Sequence, residues 1–434
     1  MRLTTSTRGI WGLALLAVLL TAWTTVTQAK NQHRANFGDF SYLQAGSQCL
    51  IAGCDPYYYA ALNDHIASRH EKRVQIFPMS PVYPASTLIV MLPFTGFGWP
   101  MAAFVYSGVV GLLMALACGL MIRWLGLRIW DPAALVFVAL LVSTPFSDTI
   151  DFGNPVALDT ALTTLACLLL LRDDAARTKV GDTTAWVLLG LSLAIKPQLA
   201  VGPAVVLFCK RETRRAALKA GLMAIGLLVV GIAAYRLRLG SFQFLASLRW
   251  AFGLSVMPEG SSDFANNEAA DFLNIQGSYA AIPHISRAVV QTLAWTTTAA
   301  LGIATAWLGS RSDALKKRPW TIVALALAIS LLPVYHRGYD RVSALLLIPA
   351  VTELAGIRKW VAWLYCALVA FWIANDTLMA HVIRRWRYKP QSPVEDVLFC
   401  LILLATLLYL RGPKETLKLP ISVLSQNENS MEPD

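Results

Sequence analysis

Apolar runs alternate with short polar joints along almost the whole chain, and about 20 apolar residues are what an α-helix needs to cross a bilayer. The first run, Ile10 to Val26, follows Arg2 and Arg8. It is long for a signal peptide and ends in the poor cleavage sequence Gln28-Ala29-Lys30, so it predicts a retained helix. Residues 28–80 are polar, and the apolar stretch 85–97 is broken at Pro93 and closed by Trp99-Pro100. Together they predict a first extracytoplasmic loop over 28–98 that carries interfacial or re-entrant helices. Further apolar runs lie at 99–122, 131–147, 154–171, 183–209, 220–237, 287–309, 319–335, 342–357, 360–380 and 394–411. The run 183–209 is divided by Lys196-Pro197 between two basic flanks, which predicts two short helices with Lys196 at or near the outer face. A second polar loop covers 238–286, and 412–434 is a polar, disordered cytoplasmic tail.

This pattern predicts an all-α polytopic membrane protein with a single integral domain over 1–411 and roughly 11–13 transmembrane helices. Arginine and lysine clusters place both termini inside and the two large loops outside. The loop 381–393 breaks that assignment, with Arg384, Arg385, Arg387 and Lys389 on the expected outer side. Either a span is miscounted there or the loop holds a lipid phosphate. An outward-facing site and high apolar content fit a bacterial plasma (inner) membrane.

Composition sharpens the class. Only 15% of the 434 residues are charged against 56% hydrophobic, too little charge for a soluble chain of this length. The net charge of +11 sits in clusters between apolar runs, where it meets anionic membrane lipids, and nucleic acid is not an expected partner. Among the cysteines only Cys49 and Cys54 fall in a polar loop. An oxidising compartment would allow them to pair, whereas a helix between them would hold them apart.

The polar residues that hydropathy does not predict gather on the expected outer face: Asp39, Tyr42, Tyr83, Asn154, Lys196, Gln276, His336, Arg337, Asp340 and Arg341. Ionisable groups near membrane depth are costly and are functional candidates for that reason. Asp39 lies among aromatics in Asn36-Phe37-Gly38-Asp39-Phe40-Ser41-Tyr42. Partial desolvation there favours proton uptake, as a general base requires. Each candidate has a plainer reading. Asp39 and Asn154 can cap helices, Lys196 can snorkel from a helix end, and Arg337, Asp340 and Arg341 can form a structural ion cluster. No metal-ligand spacing and no Gly-x-x-x-x-Gly-Lys loop is visible.

The order of these motifs resembles glycosyltransferase family 87, polyprenyl-phosphate-sugar-dependent enzymes of the GT-C fold. The resemblance rests on Asp39-Phe40 with Tyr42 after the first span, Tyr83-Pro84 before the next helix, Gly153-Asn154 before a span, Lys196-Pro197, and Pro333 with His336 and Asp340. Two departures are Ala85, where the family has a second proline, and Phe152-Gly153-Asn154-Pro155 in place of a Gly-Gln-x-Asn turn. The resemblance implies a GT-C-like bundle that transfers a sugar, usually mannose and alternatively arabinofuranose, from a polyprenyl-phosphate donor. A glycolipid or other glycan on the outer face receives it, with inversion and without a metal or other cofactor. It further implies Asp39 as general base, His336 as a second catalytic group, and Lys196, Arg337 and Arg341 as cations for the leaving phosphate. Tyr42, Tyr83, Asn154, Gln276 and Asp340 complete the expected binding set. The same polar groups also suit a transporter or flippase of a lipid-linked sugar, although no inverted repeat of hydropathy is evident. A non-catalytic scaffold is a third reading, and it would tolerate Asp39→Asn.

Overall fold

In a medium without water each backbone N–H and C=O must find its partner within the chain, and a helix meets that demand residue by residue. The computed structural model describes residues 12, 38–70, 83–126, 132–141, 146, 149, 153–172, 177–240, 286–310, 318–331, 338–355, 363–370 and 372–373. Among them no strand occurs. In chain order the elements are α1 (Gly38–Ala52), α2 (Tyr59–Ser68), α3 (Ala85–Met91) running into a 3₁₀ turn (Leu92–Gly96), α4 (Trp99–Trp124), α5 (Pro132–Leu141) and α6 (Val156–Leu170). They continue with α7 (Lys179–Ile195), α8 (Pro197–Cys209), α9 (Arg214–Leu239), α10 (Arg287–Ser310) and α11 (Pro319–Leu331). A 3₁₀ segment (Gly338–Leu346) and α12 (Pro349–Ala355) follow.

Two of the described helices, Met101–Trp124 and Arg214–Leu239, are long and apolar enough to cross a membrane, and four shorter ones are apolar. On α9 the exposed side chains Leu218, Leu222, Ile225 and Val229 recur at intervals of three and four, the stripe of a helix facing hydrocarbon. The opposite side of α9 packs on α7 and α3, while α7 packs on α6 and α8 packs on α11. Small residues let these helices touch. A Cβ built at Gly202 would stand 2.2 Å from the Ala326 carbonyl oxygen, so α8 and α11 meet backbone to backbone.

The expected break at Lys196-Pro197 is present. Lys196 ends α7 with φ −143° and ψ 77°, and Pro197 opens α8 at the helix position where its missing N–H costs nothing. Carbonyls freed by the break are taken up from α3: Ser86 Oγ donates to Ala194 O at 2.6 Å and Thr87 Oγ1 to Ile195 O at 2.9 Å. Lys196 itself is 7% exposed. It does not snorkel, because its ammonium has a buried anionic partner, described below.

The first loop is a packed structure as well. Along α1 every residue from Phe40 to Leu50 is buried. The Gln44 amide donates to the carbonyls of Phe94 (2.9 Å) and Phe97 (3.1 Å), and Ser47 donates to Leu88 O at 2.8 Å, tying α1 to α3 and the 3₁₀ turn after it. Cys49 and Cys54 are disulfide-bonded, with their Cα atoms 4.9 Å apart. The obstacle expected from an intervening helix is absent because α1 stops at Ala52 and the chain turns through Gly53, bringing Cys54 N back to Cys49 O at 2.9 Å.

Candidate active site

Asp39 lies inside the first turn of α1, which begins at Gly38, so it is not the residue that caps this helix. A carboxylate in a first turn interacts favourably with the helix dipole, which supports its charged form. Its Oδ2 accepts a hydrogen bond from Asn154 Nδ2 at 2.6 Å. The same amide nitrogen donates to the Tyr83 hydroxyl at 2.9 Å, so one primary amide spends both protons on the pair. Asn154 reaches this position because Gly153 turns the chain with φ +61°, a conformation that a Cβ would oppose. Its Oδ1 then accepts from Val156 N at 3.0 Å at the start of α6. Pro155 occupies the cap position of α6, so Asn154 does not cap this helix; its amide oxygen closes the turn before it while its nitrogen faces Asp39 and Tyr83.

Aromatic rings wall this cluster. Phe40 stacks on Tyr106 with centroids 4.2 Å apart and meets Phe94 edge-on at 5.6 Å. Tyr83 is held in turn by Tyr57, whose hydroxyl donates to the Tyr83 carbonyl at 3.0 Å. Tyr42 donates its buried hydroxyl to the Pro56 carbonyl and braces the disulfide-closed turn. Burial, then the neighbouring Tyr57 and Asp55, pushes the Tyr42 phenol well above its usual pKa. Burial does the same to Tyr57. Both phenols thus remain hydrogen-bond donors.

A second polar centre forms where α6, the α7–α8 break and the 3₁₀ segment 338–346 meet. Lys196 Nζ donates to Asp340 Oδ1 in a buried ion pair, the lysine 8% and the aspartate 2% exposed at their side chains. The adjacent Arg341 is 1% exposed. Breaking such a pair by removing one partner would strand its buried mate. Asp159 of α6 lies within electrostatic reach of both Lys196 and Asp340. Tyr106, which stacks on Phe40 beside Asp39, is also within electrostatic reach of Asp159.

Of the sequence candidates, the structure brings together Asp39, Tyr83 and Asn154 in one cluster and Lys196, Asp340 and Arg341 in the other. Gln276, His336 and Arg337 lie outside the described residues. Sequence reading passed over Asp159, Ser192 and Tyr106. An aspartate inside the apolar run 154–171 was the available signal, since a carboxylate at that depth needs a partner. Among the described residues no three His, Cys, Asp or Glu side chains converge as a metal-ligand set.

Among the described residues the chain is thus all-helical, with two buried polar centres set between apolar helices. The model of glycosyltransferase family 87 matches residues 82–334, more than half of the chain, and the chain belongs to that family. It is a membrane glycosyltransferase, which sets aside the carrier and scaffold readings. No curated protein matches it.

Proposed function

We propose that this enzyme moves a sugar, mannose, from a polyprenyl-phosphate donor to a hydroxyl of a glycolipid or polysaccharide acceptor on the outer face of the membrane. The observation that carries the proposal is the Asp39 carboxylate clamped 2.6 Å from Asn154 Nδ2, in a protein that also buries a cation at Lys196. Asp39 takes the proton of the acceptor hydroxyl as that oxygen attacks the anomeric carbon. The bond from that carbon to the phosphate oxygen breaks, its electron pair stays on the phosphate, and the anomeric configuration inverts. Charge that grows on the leaving phosphate calls for fixed cations, which Lys196 and Arg341 supply. Arg337, His336 and Gln276 belong to the same proposed site. A sugar monophosphate lipid leaves with less charge than a nucleoside diphosphate, so the reaction proceeds without a metal. The Cys49–Cys54 disulfide, on the turn that supports Tyr83, supports an oxidising side for this site.

The test is transfer from labelled polyprenyl-phosphate mannose in membranes carrying the wild type or Asp39→Asn, each with and without EDTA. Wild-type transfer that survives EDTA, and a loss of about 10³-fold in the variant at equal protein level, is the expected result for a missing base. Equal transfer by both proteins would remove Asp39 as the base. Transfer only from the arabinofuranosyl donor would change the sugar while leaving the class of donor in place.

A further inference from the structure

Asp159 is completely buried in α6, a helix of otherwise apolar or hydroxyl-bearing residues, and no part of the reaction above uses it. Its Oδ1 accepts from Ser192 Oγ of α7 at 2.6 Å. Ser192 Oγ is also 2.6 Å from Thr163 Oγ1, and with the serine proton on Asp159 it is Thr163 that donates to Ser192. Among the described residues Asp159 Oδ2 makes no hydrogen bond. The serine it holds lies in the last turn of α7: Lys196 N closes on Ser192 O at 3.1 Å, so the carboxyl on α6 is tied to the turn that delivers Lys196.

Lys196 is therefore fixed from several sides. From α3, Ser86 and Thr87 hold the carbonyls of the two residues before it. On the 3₁₀ segment Asp340 takes its ammonium. Asp159 grips the last turn of α7 through Ser192. We propose that Asp159 is a positioning residue: through Ser192 it fixes the helix end that aims the Lys196 ammonium at the departing lipid phosphate. The phosphate role of Lys196 rests on the proposed function, whereas the grip of Asp159 on Ser192 does not.

The consequence for rate follows from where the cation acts. A lysine aimed at a leaving phosphate matters most when charge has accumulated on it, so misaiming lowers kcat more than it raises KM. Asp159→Leu removes the acceptor that holds Ser192. Its expected effect is a fall in kcat of about tenfold, with the KM for donor and acceptor moving less than about twofold. Asp159→Asn keeps an oxygen for Ser192 and restores part of kcat, and Ser192→Ala, which gives up the grip from the other side, lowers kcat by about threefold. These are measured on the full-length protein in detergent or nanodiscs with polyprenyl-phosphate mannose. A parallel double-mutant cycle reads the melting temperatures of wild type, Asp159→Leu, Ser192→Ala and the double variant. Coupled residues give non-additive shifts, the double variant losing less than the sum of the single losses. Unchanged kcat in Asp159→Leu, or a loss shared equally by KM, overturns the aiming role. Additive melting shifts overturn the grip itself. A wild type that transfers from no polyprenyl-phosphate sugar refutes the proposed function, and the melting cycle then decides alone whether Asp159 and Ser192 form one unit.

Discussion

At the scale of single residues the site depends on what one amide does with its two protons. Asn154 donates to Asp39 and to Tyr83 from the same nitrogen, so it fixes the carboxylate and is itself fixed by the phenol. Asn154→Ala removes both bonds, and the expected loss of transfer is about 10²-fold at unchanged protein level, because Asp39, the proposed base, loses its orientation. Tyr83→Phe keeps the Asn154–Asp39 bond and removes only its outer support, with an expected loss of about tenfold or less. Steady-state transfer with both variants checks the order. If Tyr83→Phe proves the more harmful, the phenol acts on substrate directly rather than through Asn154. Asp39, Asn154 and Lys196 were legible in the sequence because each is a polar group where hydropathy expects none. Asp159 was not, because one carboxylate among Val156, Leu158, Ala161 and Leu162 hardly lowers the mean hydropathy of the segment. The bond of Tyr42 was hidden for a related reason: the sequence shows a phenol near Asp39 but not that Pro56, fourteen residues on, presents its carbonyl to it.

At the scale of elements, interruption positions the chemistry and close packing holds the interruptions in place. Pro197 ends the hydrogen bonding of α7, and Ser86 and Thr87 complete it from α3. Proline made the break readable in advance, but nothing local to it points to a helix about a hundred residues earlier as the source of the missing donors. On the far side of the break, α8 rests on α11 through Gly202. Gly202→Val places branched carbon against the Ala326 carbonyl, where no flexible side chain can give way. The expected cost is about 1–3 kcal/mol or more, seen as a lowered melting temperature of the purified protein. Gly221 on α9 has open space around its Cβ position, and its replacement by alanine is the matched control. A Gly202→Val protein that melts with the wild type would show that α8 and α11 are not in backbone contact.

For the whole molecule, the disulfide makes a statement about sidedness that hydropathy alone could not. Cys49 and Cys54 pair on the turn beneath Tyr42 and Tyr83, whereas Cys118, Cys167 and Cys366 are free and buried. In intact cells a membrane-impermeant maleimide is expected to leave Cys49 and Cys54 unlabelled until a reductant is added outside, and to label them afterwards. Labelling before reduction would contradict the pairing, and labelling only after the cells are opened would place the loop inside. Charge placement in the sequence already assigned the loop to the outer side. The pairing stayed open in the sequence because the end of α1 at Ala52 was not visible without the tertiary contacts that bury the helix.

The Lys196–Asp340 pair also bears on how the protein is made. Its members are 144 residues apart, so the ribosome delivers α6 with Asp159, and then Lys196, long before Asp340 exists. Helix by helix, the nascent chain offers the insertion machinery one carboxyl group and then one cation, each unwelcome in lipid alone. Their neighbours α6 and α7 therefore have reason to leave the translocation channel as a couple, with final registration delayed until the last third of the chain arrives. Ribosome stalling short of Asp340 should leave an inserted but inactive precursor, so the transferase would acquire its activity only near the completion of synthesis.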